Sequence, residues 1–284
     1  MKVAHIKNYF LPLTETFIYN YIDGLKKYKP FIISEYQLNN TIFPVKNIST
    51  QRGKNKWFEP ILQKIREWLT GKFEKEFFFN YYYLKTLKKI NPEVVHVHFG
   101  FPGVLFSDMI KNLNFPLVVS FYGYDLSSVP FHFGQDIYSR KKLFLNGQIF
   151  TAEGQVAKER LVELGCPKEK VHLLRIGIRI NDYKFFPRFC SEKQPMKLLF
   201  CGRFVPKKGI MLLIESFSKV LEAKYSIELN IIGFGPQEFL VKELVTKLSI
   251  EKNVNFLGKL NQNEFIALRR ILIIINGDNC SIRN

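Results

Sequence analysis

Short runs of apolar, largely β-branched residues recur along the chain, each followed by a polar turn and a stretch of helical spacing. Residues 3–6, 31–33, 94–97, 117–120, 148–151 and 171–174 form the first series. Near-continuous apolar strands alternating with helices predict a parallel sheet covered on both faces. Ligands of such sheets sit outside the carboxyl ends of the strands, so every loop that follows a run is a candidate site. A second series holds 197–201, 229–232 and 254–257, with helical spacing over 210–221 and 271–275 as a candidate fourth strand. Between the series, residues 181–195 carry Pro187, Pro195 and the polar Ser191-Glu192-Lys193-Gln194, which read as a linker. The expected organisation is an α/β chain of two domains, 1–185 and 195–284, the second with fewer strands than a doubly wound domain usually has.

Residues 54–90 add a different pattern. Trp57, Ile61, Ile65, Trp68 and Leu69 share one helical face among scattered lysines. Such a face either packs on the sheet, the favoured reading, or lies in a membrane interface.

Composition narrows the classes. The 284 residues are 46% hydrophobic and 24% charged, which excludes disordered and fibrous chains. A formal net charge of +17 favours anionic partners: phosphorylated small molecules, acidic lipid surfaces or nucleic acid. Nucleic acid ranks last, because no recognition motif accompanies the dispersed basic residues. Cys166, Cys190, Cys201 and Cys280 form no C-x-x-C pair, so no zinc knuckle or redox motif is expected. The first residues carry no secretion-signal pattern, and no apolar run approaches the roughly 20 residues of a membrane span. A cytoplasmic protein is expected, with peripheral contact at the inner face of an anionic membrane left open.

The motif with the clearest chemistry is Gly202-Arg203-Phe204-Val205-Pro206-Lys207-Lys208-Gly209, between an apolar run and a helical stretch. A departing diphosphate gathers negative charge that cations stabilise. Arg forks onto two phosphate oxygens, Lys acts as a point charge, and a helix amino terminus adds a favourable dipole. On composition alone a solvated basic loop is the simpler reading.

Other segments follow in order: Pro12-Leu13-Thr14-Glu15-Thr16-Phe17-Ile18, His96-Val97-His98-Phe99-Gly100 and Phe121-Tyr122-Gly123-Tyr124-Asp125. Ile232-Gly233-Phe234-Gly235-Pro236 and Val254-Asn255-Phe256-Leu257-Gly258-Lys259 come later. Thr14 is a candidate N-cap for the helix running to Leu25, and Asp125 reads equally as a turn residue. His96 and His98 suggest a metal, but two imidazoles make no closed site and no third ligand is evident in the sequence.

Taken together, these segments resemble the family 4 glycosyltransferases, and within them the exopolysaccharide, colanic-acid-type branch. The likeness runs from about Lys2 to Glu264. It implies a GT-B-like α/β fold: two Rossmann-like domains facing across a cleft, the second incomplete here. It also implies sugar transfer from a nucleotide-diphosphate sugar to a saccharide or lipid-linked acceptor in polysaccharide synthesis, with retention and without metal or other cofactor. Donor-binding residues would be Gly202, Arg203, Lys208, Gly233, Gly235 and Lys259. Acceptor-binding residues would be Thr14, Glu15, Thr16, His98, Gly123, Tyr124 and Asp125. Tyr122 stands at the family's usual His position, and a phenol is a poor base at neutral pH. Arg179 stands where the family has Asp. Beyond Phe265 the family's paired acids have no counterpart, so the chain is expected to be truncated and weakly active or inactive. The alternative is a non-catalytic module that binds a glycan or a membrane surface.

Overall fold

The structure is a computed structural model that describes residues 1–51, 81–177, 195–260, 264 and 273–275. The tryptophan-bearing face, Arg179, nearly all of the linker and the residues after 275 lie outside them.

The chain divides into two compact units, Met1–Ile178 and Arg179–Asn284. In the first, among the described residues, seven parallel strands form one sheet in the order β5-β3-β1-β6-β7-β8-β9. These are β1 (Lys2–Ile6), β3 (Lys29–Ser34), β5 (Ile48–Thr50), β6 (Val94–His98), β7 (Leu117–Ser120), β8 (Ile149–Ala152) and β9 (Val171–Leu173). A short parallel pair, β2 (Tyr9–Phe10) and β4 (Tyr36–Gln37), stands beside it. Helices α1 (Thr16–Gly24), α2 (81–90), α3 (Gly100–Asn112), α4 (Gly123–Phe133), α5 (Ile137–Arg140), α6 (Leu143–Asn146) and α7 (Gln155–Glu163) connect the strands.

The chain leaves β1 for β3 and β5, then returns to place β6 on the other side of β1. That reversal makes a topological switch point between β1 and β6, where open α/β sheets bind their ligands. Strand alternation divides the side chains there. Ala4, Ile6, Val95 and Val97 enter the main hydrophobic core, with Phe106, Phe121 and Phe150. His5 pairs in register with His96, and His98 lies two residues further along β6, so all three face the other way. A second cluster, with Phe10, Ile18, Ile22 and Ile32 at its centre, seats α1.

The second unit holds the parallel sheet β12-β11-β10-β13, formed by β10 (Met196–Cys201), β11 (Ile227–Ile232), β12 (Val254–Gly258) and β13 (Ile273–Ile275). Helix α8 (Ile210–Glu222) buries Ile210, Ile214 and Phe217 against Leu229 and Ile231, the i, i+4, i+7 stripe of an amphipathic helix. Helix α9 (Glu238–Lys247) adds Val241 and Val245 to the same core. Among the described residues, no helix is long and apolar enough to cross a membrane.

Candidate functional site

Two loop clusters follow the carboxyl ends of the strands, one in each unit. In the first unit, His5, His96 and His98 converge at the switch point, with ring nitrogens within 4.8 Å of one another. His5 Nδ1 lies 3.2 Å from His98 Nε2, and His98 Nδ1 lies 3.0 Å from the Tyr122 hydroxyl. His96 Nε2 meets Ser120 Oγ at 2.7 Å, and Ser120 meets Thr151 Oγ1 at 2.7 Å. All three histidines are buried, and burial holds their pKa values below the ordinary imidazole range, that of His96 at about 4. The third imidazole that the sequence left out of sight is therefore His5, on a strand 91 residues upstream of His96, which it meets in register.

Beside this cluster, Lys7 Nζ is 2.9 Å from Glu15 Oε2 and 4.2 Å from the centre of the Phe99 ring. Phe99 takes a positive φ of 76°, a conformation costly for a bulky residue, and it turns the chain sharply from β6 into α3. Gly100 starts that helix because a Cβ there would lie 2.4 Å from the Phe121 ring.

Two residues expected to meet an acceptor are inside the protein. His98 faces His5 through Nε2 and Tyr122 through Nδ1. Asp125 is 0% exposed, accepts the Tyr122 backbone N–H at 3.1 Å, and faces the Gly100 and Phe101 amides. It ties the start of α4 to the start of α3. Burial pushes its pKa to about 7 despite those amides. Burial also raises the Tyr122 phenol above its usual value, which keeps the hydroxyl a proton donor. Thr14, Thr16, Gly123 and Tyr124 remain exposed, and Glu15 is half-buried against Lys7. Thr14 is not the expected N-cap: it lies inside a 3-10 turn, Leu13–Glu15, and the helix starts at Thr16 with no side-chain cap.

In the second unit, β10 runs into Gly202, Arg203 and the 3-10 turn Pro206–Lys208, and Gly209 (φ +65°) opens α8. The neighbouring loop after β11 packs backbone to backbone on this turn. Phe204 N donates to Phe234 O at 2.9 Å, and Gly202 N to Ile232 O at 3.0 Å. Gly233 (φ +144°) is required: a Cβ there would stand 1.9 Å from the Gly202 carbonyl oxygen. At Gly235 (φ +159°) a Cβ would stand 2.6 Å from the Phe204 carbonyl oxygen. Arg203 and Lys259 are exposed, Lys259 Nζ lies 4.0 Å over the Phe234 ring, and the Lys208 stem runs beside Gly202. All six residues expected at the donor site thus belong to the loops after β10, β11 and β12.

Residues 47–182 match the family model of Glycosyltransferase Family 4, and residues 184–275 match that of Glycosyl transferases group 1. The chain belongs to the family 4 glycosyltransferases. The glycosyltransferase AmsK of amylovoran biosynthesis, from Erwinia amylovora, is 27% identical over 183 residues, covering 62% of this chain and 44% of that protein. N-acetyl-alpha-D-glucosaminyl L-malate synthase of Bacillus anthracis is 20% identical over 206 residues, covering 68% and 52%. The chain therefore spans about half the length of these curated relatives. The crystal structure of Anabaena Alr3699/HepE in complex with UDP-glucose superimposes with a TM-score of 0.69 at 16% identity, over 96% of this chain and 73% of that one. That likeness is one of fold, and it assigns the GT-B class with its Rossmann-like domains.

In this glycosyltransferase chain, motif reading missed Lys7, His5 and Tyr21. Tyr21 sets its ring edge-on to His96 and His98, at 5.5 and 6.1 Å. His5 and Lys7 leave a usable signal, a polar residue at alternate positions of an otherwise apolar strand, but only the pairing of β1 with β6 gives it meaning.

Proposed function

We propose that the full protein transfers a sugar from a nucleotide-diphosphate donor to a saccharide or lipid-linked glycan in exopolysaccharide or lipopolysaccharide synthesis. The observation that carries this reading is the glycine-packed turn after β10. Gly202 and Gly233 keep the two backbones in contact, and the turn presents Arg203 and Lys208 just ahead of the α8 amino terminus. Arg203 would fork onto the diphosphate and Lys208 would add a second positive charge as the glycosidic bond breaks. Gly233, Gly235 and Lys259 would border the nucleoside. The exposed Thr14, Thr16, Gly123 and Tyr124, with Glu15 behind them, would meet the acceptor; His98 and Asp125 would hold that wall in place from inside. The transfer would retain anomeric configuration and need no divalent cation at the diphosphate, since the two side-chain cations and the helix dipole supply the charge. A lipid-linked acceptor would place the protein at the inner face of the membrane.

Calorimetric titration with UDP- and GDP-sugars tests the donor site. Arg203→Ala is expected to weaken binding about 10- to 100-fold, the loss of one or two charge-assisted hydrogen bonds. Equal affinity in the two chains overturns the diphosphate role.

A further inference from the structure

The three histidines at the switch point carry an inference that is independent of sugar transfer. They are not held apart by the fold. Their ring centroids lie 4.4, 5.2 and 5.4 Å from one another, and one ligand atom from each falls within 4.8 Å of the others. We infer that His5, His96 and His98 form a binding site for a single divalent transition-metal ion of the zinc class, with a water as fourth ligand.

Geometry is the first argument. A tetrahedral zinc ion with metal–nitrogen bonds of about 2.0–2.1 Å sets its ligand nitrogens about 3.3–3.4 Å apart. His5 Nδ1 and His98 Nε2 stand 3.2 Å apart, close to that edge. A ligating imidazole normally has its other nitrogen held by an oxygen, which fixes the ring. His98 Nδ1 meets the Tyr122 hydroxyl and His96 Nε2 meets Ser120, itself anchored on Thr151. That leaves His98 Nε2 and His96 Nδ1 as ligand atoms. His5 would ligate through Nδ1, the ion replacing the direct contact between that atom and His98 Nε2.

The chemistry of the donor set is the second argument. Three neutral imidazoles and a water suit a borderline ion such as Zn²⁺ or Co²⁺, and the absence of carboxylate from this ligand set disfavours Mg²⁺ and Ca²⁺.

The test uses the chain stripped with a chelator, then titrated with Co²⁺ and Zn²⁺. One equivalent of Co²⁺ is expected to produce the intense visible bands of a tetrahedral nitrogen site, with Zn²⁺ displacing it one for one. Zn²⁺ is expected to raise the melting temperature. His5→Phe is expected to abolish the bands, whereas the doubly substituted His132→Ala/His172→Ala chain, which lacks two exposed imidazoles, retains them. Because a core variant can fail to fold, Tyr122→Phe gives a second reading. Its ring keeps its contacts with Phe17 and Phe99, and loss of the hydroxyl is expected to weaken metal binding about 10-fold or more. Absence of a tetrahedral spectrum, Mg²⁺ competing as well as Zn²⁺, or unchanged metal affinity in Tyr122→Phe with folding intact overturns the site.

Discussion

The carboxyl ends of the two sheets solve one problem in opposite ways. Each follows parallel strands whose loops must present polar groups. In the first unit the polar side chains turn inward, as His5, His96, His98, Ser120, Thr151 and Asp125 are all buried and joined to one another or to backbone. In the second the side chains turn outward and the backbones close the gap, with Gly233 and Gly235 pressed on Gly202 and Phe204 while Arg203 and Lys259 face water. A buried side-chain network is rigid but sensitive to its protonation. A glycine-packed turn is indifferent to pH and intolerant of a single added carbon.

Acid should separate the two most widely. An imidazole whose folded pKa lies below its unfolded value of 6.5 stabilises the fold above that pH, and the contribution disappears as pH falls toward the folded value. Asp125 runs the other way, because a carboxyl raised from 3.8 to about 7 favours folding as pH falls through 7. Lys7 and Tyr122 also face the cluster, and the Tyr122 phenol, raised by burial, keeps its proton throughout. Three histidines against one aspartate leave a net two protons taken up on unfolding. In the metal-free chain the first unit should lose up to about 3 kcal/mol per pH unit between about 6.5 and 4. Urea denaturation at stepped pH checks this, and a flat profile refutes the buried neutral triad. The second unit should show no such slope.

Gly233→Ala reverses the asymmetry. Strain at φ +144° and a 1.9 Å encounter with the Gly202 oxygen should cost the second unit about 3–5 kcal/mol. Gly154→Ala, in open space in the first unit, should stay within about 0.5 kcal/mol. Similar losses at the two glycines would contradict the backbone packing described.

Ser120→Ala cuts the chain from His96 to Thr151 and leaves a buried imidazole nitrogen unpaired, so a loss of about 1–3 kcal/mol is expected. A smaller loss would mean that water replaces the hydroxyl. At the bottom of the scale, Lys242→Ala removes the exposed i, i+4 pair with Glu238 on α9 and should change the unfolding free energy by less than about 0.5 kcal/mol.

Much of this architecture was already readable as one-dimensional pattern. The strand at 94–97 appears as Val94–His98, and those at 117–120 and 171–174 as Leu117–Ser120 and Val171–Leu173. The helix at 210–221 appears as Ile210–Glu222. Such elements announce themselves because apolar period and helix spacing are local quantities, set within a dozen residues. The cations after β10 were legible for the same reason, since strand, turn and helix are contiguous there.

The network at the switch point was not. Nothing near His5 predicts that it will stack on His98, because 93 residues separate them and their meeting depends on the chain doubling back to place β6 beside β1. Sequence likewise marked Asp125 as polar and therefore available, and Thr14 as a cap. Packing decided otherwise, burying one under two helix starts and placing the other within a 3-10 turn. Local pattern thus determined which elements exist and where they turn. Strand order and the packing of helix starts on the sheet determined which polar groups lost contact with water, because burial is a property of neighbours that the chain brings from afar.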